Sequence, residues 1–327
     1  VVSWIKASIA QHGFWRHWIA RLSLHTYQPV THVRLGITAN TSKDALWKPV
    51  AETLLLLRSL EQDTVLHPDI HDGLVQRKIL VDLPARVKDE TAFLESSDVV
   101  LSLGGDGTLL GTARMVGERN IPILGVNYGR LGFLANVEAA DLPDAIGKLN
   151  AGQYDIENRL VLDMHIHSGQ DVITHRALND CSLQRSGDPG LLSLDVFVDG
   201  CLLNTYWGDG IILSTPTGST AYSLALGGPI MAPGCGGILI TPVAPHTLTV
   251  RPMVLPEHVR IEVRISADNP DCSITADGQA NLYGHQNIRV CVSKAGTGIQ
   301  LLQLHGSDYF TTLRSKLMWG ARKLKGA

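Results

Sequence analysis

Gly104, Gly105, Asp106, Gly107 and Thr108 place one carboxylate among three glycines, between an apolar run at 98–103 and a helix-like run that follows. Glycines beside the carboxylate let the backbone approach a bulky diphosphate. A helix opening at Thr108 points its unpaired N–H groups and the positive end of its dipole at the same spot. A carboxylate beside bound phosphates is poorly suited to holding them. It is well suited to taking a proton from an attacking hydroxyl or to holding a divalent cation. Asp106 is therefore the first candidate for chemistry. No Gly-Lys-Ser/Thr follows, so the loop is not a Walker A motif, and it does not read G-x-G-x-x-G. An aspartate in such a turn can also simply cap the helix behind it. The loop alone leaves both readings open.

A second segment, GDGIILSTPTGSTAYSLALGGPI from Gly208, runs a strand into a Pro/Gly turn crowded with hydroxyls and then a tyrosine. Small hydroxyl residues can hydrogen-bond the ribose and phosphate of a nucleotide while the Tyr222 ring packs on a base. It contains no G-x-S-x-G, which excludes a nucleophile-elbow serine hydrolase. Asp163, His165 and His167 share one face of a strand, and His67, Asp69, His71 and Asp72 crowd a short stretch. Neither spacing is diagnostic of a metal. The first set reads as strand-surface residues and the second as a polar loop.

The elements that must position these residues follow from hydrophobic pattern. Residues 33–38 (VRLGIT) read as a strand and 46–60 as a helix with Pro49 near its first turn. The 98–103 run (DVVLSL) is a buried strand, followed by the glycine loop, the helical LLGTARMV, and a further strand at 121–126. Strands alternating with helices predict an α/β domain over 31–150, a Rossmann-like parallel sheet flanked by helices. The texture then changes to alternating runs such as LVLDMHIH, LSLDVFVDG and VRIEVRI, which predict a β-rich domain over 151–300. Asp199-Gly200 is a two-residue hairpin signal within it. Residues 301–327 form a C-terminal segment whose helix is expected over 310–324.

The chain has 327 residues, 44% of them hydrophobic and 18% charged, so intrinsic disorder does not fit. With 28 basic and 31 acidic residues it offers no broad cationic surface, and nucleic acid is not an expected partner. No apolar run reaches the roughly 18 residues of a membrane span. Five widely spaced cysteines without a C-x-x-C pair predict reduced thiols, and hence a cytoplasmic location. Residues 1–30 mix Trp4, Phe14, Trp15 and Trp18 with Lys6, Arg16 and Arg21 and lack a secretory h-region. They read as an amphipathic N-terminal extension, with a membrane-surface contact or a transit-like leader as alternatives.

Taken in order, GGDGT, PILGVNYGRLGFLANV from Pro122, ENRLVLDM from Glu157, ALND from Ala177, DGIILSTPTGSTAYSLALGGPI from Asp209, ITPVAPHTLTVRP from Ile240 and ADGQ from Ala276 resemble the NAD kinase family over residues 33–320. GGDGT alone is shared with lipid kinases and phosphofructokinases; the TPTGSTAY block is far more specific. The resemblance implies an α/β domain joined to a β-rich domain, with the site between them and the C-terminal segment returning to the first. It implies transfer of the ATP γ-phosphate to the adenosine-ribose 2′-hydroxyl of NAD, making NADP. Asp106 would accept the proton, with Gly107 against the ligand and Gly104, Gly105 and Thr108 completing the phosphate loop. Asn179 and Asp180 would hold a ribose, Asp180 being one methylene shorter than the usual Glu. Asp209 would contact the dinucleotide, Thr220, Ala221, Tyr222, Ser223, Leu224 and Ala225 would surround its adenosine portion, and Gln279 would complete the pocket. Asp277 is a candidate second acid. The family further implies Mg2+ carried on ATP without dedicated protein ligands, and a homo-oligomer, dimer or tetramer, whose neighbouring subunit completes the pocket. Trp207 stands where some members carry a basic residue, which leaves NADH acceptance and the polyphosphate donor open. A GGDGT lipid kinase and a noncatalytic NAD(P)-binding regulator are the alternatives.

Overall fold

The computed structural model describes residues 33–79, 82–129, 132–186, 190–265, 271–278, 282–284 and 288–319. The N-terminal stretch 1–30 and Gln279 lie outside them.

One sheet has seven strands: β1 (Leu35–Ala39), β2 (Thr64–Leu66), β3 (Val99–Gly104), β4 (Ile123–Asn127), β5 (Val137–Glu138), β6 (Tyr154–Arg159) and, from far along the chain, β19 (Ile299–Leu304). Their order is β2-β1-β3-β4-β19-β6, with β5 beside β4; all pairings are parallel except that of β19 with β6. Alternate residues of each strand point to opposite faces, and both faces are covered. Leu35, Ile37, Leu101 and Val126 meet helices α1 (Trp47–Ser59) and α2 (Pro68–Arg77) on one side. Val100 and Ile123 meet α3 (Glu90–Glu95) and α4 (Asp106–Val116) on the other. A further helix, α5 (Leu142–Asn150), sends Leu142, Ile146 and Leu149 into the first of these cores.

The remaining strands form two six-stranded antiparallel sheets. One contains β7 (Leu162–Ser168), β8 (Asp171–Ala177), β10 (Leu192–Val198), β11 (Cys201–Gly208), β15 (Ile261–Ile265) and β18 (Arg289–Lys294). The other contains β9 (Asp180–Arg185), β12 (Gly210–Ser214), β13 (Gly237–Val243), β14 (Met253–Pro256), β16 (Cys272–Ala276) and β17 (Leu282–Gly284). Both send side chains into one core: Met164, Leu194 and Val263 from the first, Leu183, Ile211 and Ile274 from the second, all fully buried. This is a sandwich. Asp199 and Gly200 both have positive φ, 48° and 81°, and join β10 to β11 as the two-residue turn expected there.

Several boundaries differ from expectation. Helix α4 begins at Asp106, not Thr108, because extended Gly105 serves as its cap residue, so the carboxylate sits in the first helical turn. His67 and its neighbours do not form a loop. His67 Nδ1 accepts the Asp69 amide and Pro68 opens α2, as the fixed φ of proline favours. The C-terminal helix α7 spans Tyr309–Leu317, shorter than expected, and stops at Met318 in the left-handed region.

Candidate active site

Ligands of open α/β sheets bind beyond the carboxyl ends of the strands where the connections reverse direction. Here β2 lies on one side of β1 and β3 on the other. A cleft of about 280 Å³ opens at that switch point, lined by Thr38 of β1, by Asn40 and Thr41 after it, and by Gly107, Thr108 and Thr112 of α4. Gly104 ends β3 where a Cβ would strike the Thr108 side chain at 2.3 Å from Oγ1, so only glycine lets the helix begin so close to the strand.

Asp106, preceding Gly107 of this lining, is half-buried. Its Oδ2 accepts the Phe133 amide at 2.8 Å, and its Oδ1 accepts the Leu134 and Ala135 amides at 3.0 Å each. A carboxylate offers about four lone-pair directions. Among the described residues three are taken, and the remaining one is on Oδ2. Two glycines permit this cradle. A Cβ on Gly132 would come within 1.8 Å of Asp106 Oδ1, and one on Gly125 within 2.7 Å of the Ala135 Cα.

A second cradle lies in the sandwich. Asp277 follows β16 with φ 52°, and Gly278 after it has φ 65°. Its Oδ2 accepts the Leu178 amide at 2.9 Å, and its Oδ1 accepts those of Asn179 at 2.7 Å and Asp180 at 3.1 Å. Burial raises the Asp277 pKa, the three amides opposing it. Asp180, buried at the start of β9, is pushed up to about 7 by burial and by the charge of Asp277.

The hydroxyl-rich turn is fastened to the same place. Thr215 donates its amide to the Asn179 carbonyl at 2.9 Å and its hydroxyl to the Leu178 carbonyl at 2.6 Å, then accepts the Gly218 amide on Oγ1. A Cβ on Gly218 would sit 2.1 Å from the Asn179 oxygen. Thr220 and Ala221 are half-buried and Tyr222 is exposed, opening the short helix α6 (Tyr222–Ala225). Ser223 is fully buried and its hydroxyl bonds that of Thr241 at 2.7 Å, so its side chain is engaged inside the fold; Leu224 is half-buried and Ala225 exposed. Leu109, Leu110 and Ala113 of α4 share one hydrophobic cluster with Leu178, which couples the two cradles through the core.

Asp209 is not brought to this group. Asp180 faces Ser214 and Gln184 faces Gly210 across β9 and β12, so Asp209 lies beyond the other end of β12, roughly 17 Å away at ~3.4 Å per residue. There it pairs with Arg185 at 3.3 Å. Trp207, beside it, is exposed and donates its indole N–H to Ser193 Oγ at 3.0 Å. Sequence reasoning missed the donors at 133–135 and Thr215. The glycines of PILGVNYGRLGFLANV were the available signal for the first, and nothing in residue type marked Thr215 among its hydroxyl neighbours. Among the described residues, no three or more His, Cys, Asp or Glu side chains converge as a metal site.

Residues 72–154 match the family model described as ATP-NAD kinase N-terminal domain, and residues 178–304 the one described as ATP-NAD kinase C-terminal domain. An NAD kinase of Cytophaga hutchinsonii is 36% identical over 271 residues, covering 83% of this chain and 92% of its own. The chain belongs to the NAD kinase family. An NAD kinase of Moorella thermoacetica is 40% identical over 290 residues, covering 89% of this chain and 91% of its own. The fold superposes with a TM-score of 0.80 on a yeast NADH kinase solved with NADH, at 26% identity and 90% coverage of both chains.

Proposed function

We propose that the site transfers the γ-phosphoryl group of ATP to the 2′-hydroxyl of the adenosine ribose of NAD, making NADP. The observation that carries this reading is the single open acceptor position on Asp106 Oδ2, beside a phosphate-sized cleft at the switch point. The 2′-hydroxyl would donate its hydrogen bond there, and Asp106 would take the proton as that oxygen attacks phosphorus. The Phe133, Leu134 and Ala135 amides hold the carboxylate still, which is most of what a proton acceptor needs from its surroundings. Phosphoryl transfer requires little covalent help from protein; positioning and charge neutralisation dominate.

Asn179 and Asp180 would hold a ribose of NAD, Thr220 to Ala225 would surround its adenosine end, and Gln279 would complete the pocket. Gly104, Gly105, Gly107 and Thr108 would line the donor phosphates. Thr38, Asn40, Thr41, Thr108 and Thr112 present the hard oxygen groups that suit Mg2+ travelling on a nucleotide. Bound there, the ion would neutralise phosphate charge. Asp277 would act as a latch for the 178–180 turn.

The remoteness of Asp209 from this group supports a homo-oligomer. We assign it to the pocket of a neighbouring subunit. Exposed Leu202, Trp207, Leu248, Met253 and Val254, on the edge strands β11 and β14 and the loop before β14, supply apolar surface for that contact. Among the described residues no helix is long and apolar enough to cross a membrane. The buried free thiols Cys181, Cys272 and Cys291 suit a reducing cytoplasm. The relatives above are kinases of nicotinamide dinucleotides, which favours this reading over a lipid kinase or a noncatalytic regulator. Purified protein given ATP, Mg2+ and either NAD or NADH should yield the corresponding 2′-phosphorylated dinucleotide. Saturable binding without product would overturn the assignment.

A further inference from the structure

The segment ENRLVLDM carries an arginine that no role above absorbs. Arg159 ends β6, the last strand of the parallel sheet, and is buried, its side chain only 9% exposed. Burying a guanidinium is unfavourable unless its hydrogens find partners. One terminal nitrogen donates to Glu157 Oε2 at 2.7 Å, along its own strand. The other crosses to the second domain and donates to Thr217 Oγ1 at 3.3 Å.

Thr217 is the centre of the TPTG turn. Its side chain is buried, and its carbonyl accepts the hydroxyl of Thr220, the first residue of the proposed adenosine loop. The same turn is held on its other flank by Thr215, bonded to the 178–179 backbone, and by Ser219, whose hydroxyl donates to the Pro216 carbonyl and accepts the Met231 amide. Those anchors all lie within the second domain. Arg159 supplies one from the sheet that carries Asp106. A polar cleft of about 220 Å³ runs beside this bridge, lined by Arg159, Thr217, Cys235, Glu257 and Lys294. Among the described residues, Arg159 Nε and the Tyr309 hydroxyl of α7 are buried without a hydrogen-bond partner. The bridge is therefore not reinforced by a dense surrounding network, and its two bonds must carry the orientation.

We propose that Arg159 is a positioning residue that sets where the adenosine loop stands relative to Asp106, acting through Thr217. It touches neither substrate. The inference rests on the NAD kinase reading of the site. Its consequence is selective: dinucleotide affinity depends on the bridge, whereas the ATP cleft, built from β1 and α4, does not.

Removing Arg159 outright would leave Glu157 uncompensated and endanger the fold, so Thr217→Val is the cleaner test. It deletes the acceptor and keeps the shape. Loss of one hydrogen bond to a charged group predicts a rise of about tenfold in KM for NAD and in the Kd for NAD measured by titration without ATP. KM for ATP should stay within about twofold. Thr217→Ser, which restores the oxygen, should return KM for NAD towards wild type. Arg159→Lys, which keeps the charge without the fork, should raise KM for NAD and add little to Thr217→Val when combined. A Thr217→Val enzyme with unchanged KM and Kd for NAD would overturn the proposal, as would equal losses for NAD and ATP. A wild-type protein that makes no NADP would instead overturn the functional reading.

Discussion

Asp106 and Asp277 are held by the same device in different surroundings. Each carboxylate accepts three consecutive backbone amides, 133–135 in one case and 178–180 in the other, with two bonds on one oxygen and one on the other. Asp106 stands at a helix start, preceding Gly107 of the open cleft's lining, among glycines that add no side chains. Asp277 follows β16 next to buried Asp180; it is half-buried like Asp106 and lines a cavity of about 240 Å³ with Arg114 and Arg176, and burial raises its pKa. Hydrogen bonding alone therefore does not make a carboxylate reactive. We propose that the cradle serves catalysis at Asp106, next to the Gly107 and Thr108 that line the cleft at the switch point, and clasps the 178–180 turn at Asp277.

The strongest way to break this comparison is Asp106→Asn. The amide can still accept the backbone bonds on one oxygen but cannot take a proton, so turnover should fall by about 10²- to 10⁴-fold while NAD binding changes little. A titration alongside steady-state kinetics checks both halves. Next is Gly132→Ala. Its methyl would overlap Asp106 Oδ1 at 1.8 Å and displace the carboxylate, and a misplacement near 1 Å lowers kcat by about 100-fold. Asp106→Asn should leave the melting temperature close to wild type, whereas Gly132→Ala should lower it because the displaced carboxylate strands its amides.

Asp277→Ala should behave in the opposite way. It strands three amides, so a loss of about 3 kcal/mol of unfolding free energy is expected by urea denaturation. KM for NAD should rise because Asn179 and Asp180 lose their support. If Asp277→Ala instead kept its stability and lost only kcat, the clasp would be the reactive group and the comparison would reverse.

The smallest effect is in pH. The Asp180 carboxyl, pushed up to about 7 in the folded chain from an ordinary unfolded value near 4, binds its proton more tightly when folded. Its contribution is fully present below the unfolded pKa and is lost as pH rises through the folded one. Stability should fall between about pH 4 and pH 7, and Asp180→Asn should flatten that slope. Denaturant midpoints at a series of pH values would show it.

Much of this arrangement was legible in the amino-acid pattern because it depends on local rules. The apolar run before GGDGT, the alternating stretches after residue 160 and the Asp199-Gly200 turn each declare an element through spacing that neighbouring residues fix. What was not legible depends on distant partners. Nothing in the order of residues says that Asp106 meets amides more than 25 positions away, or that Asp277 meets a turn about 100 positions earlier. Asp209 shows the same limit: it adjoins the hydroxyl-rich segment in sequence, and strand extension then carries it to the far end of the sheet. Arg159 likewise meets Thr217, 58 positions on, only through the tertiary fold.

A crystal structure of the chain with NAD and a nonhydrolysable ATP analogue tests the central claim most directly. The account predicts the adenosine-ribose 2′-oxygen within hydrogen-bond distance of Asp106 Oδ2, about 2.6–3.2 Å, with the three amides still in place and the terminal phosphate opposite. A 2′-oxygen remote from Asp106 and bonded instead to another carboxylate, Asp180 or Asp277, would contradict it.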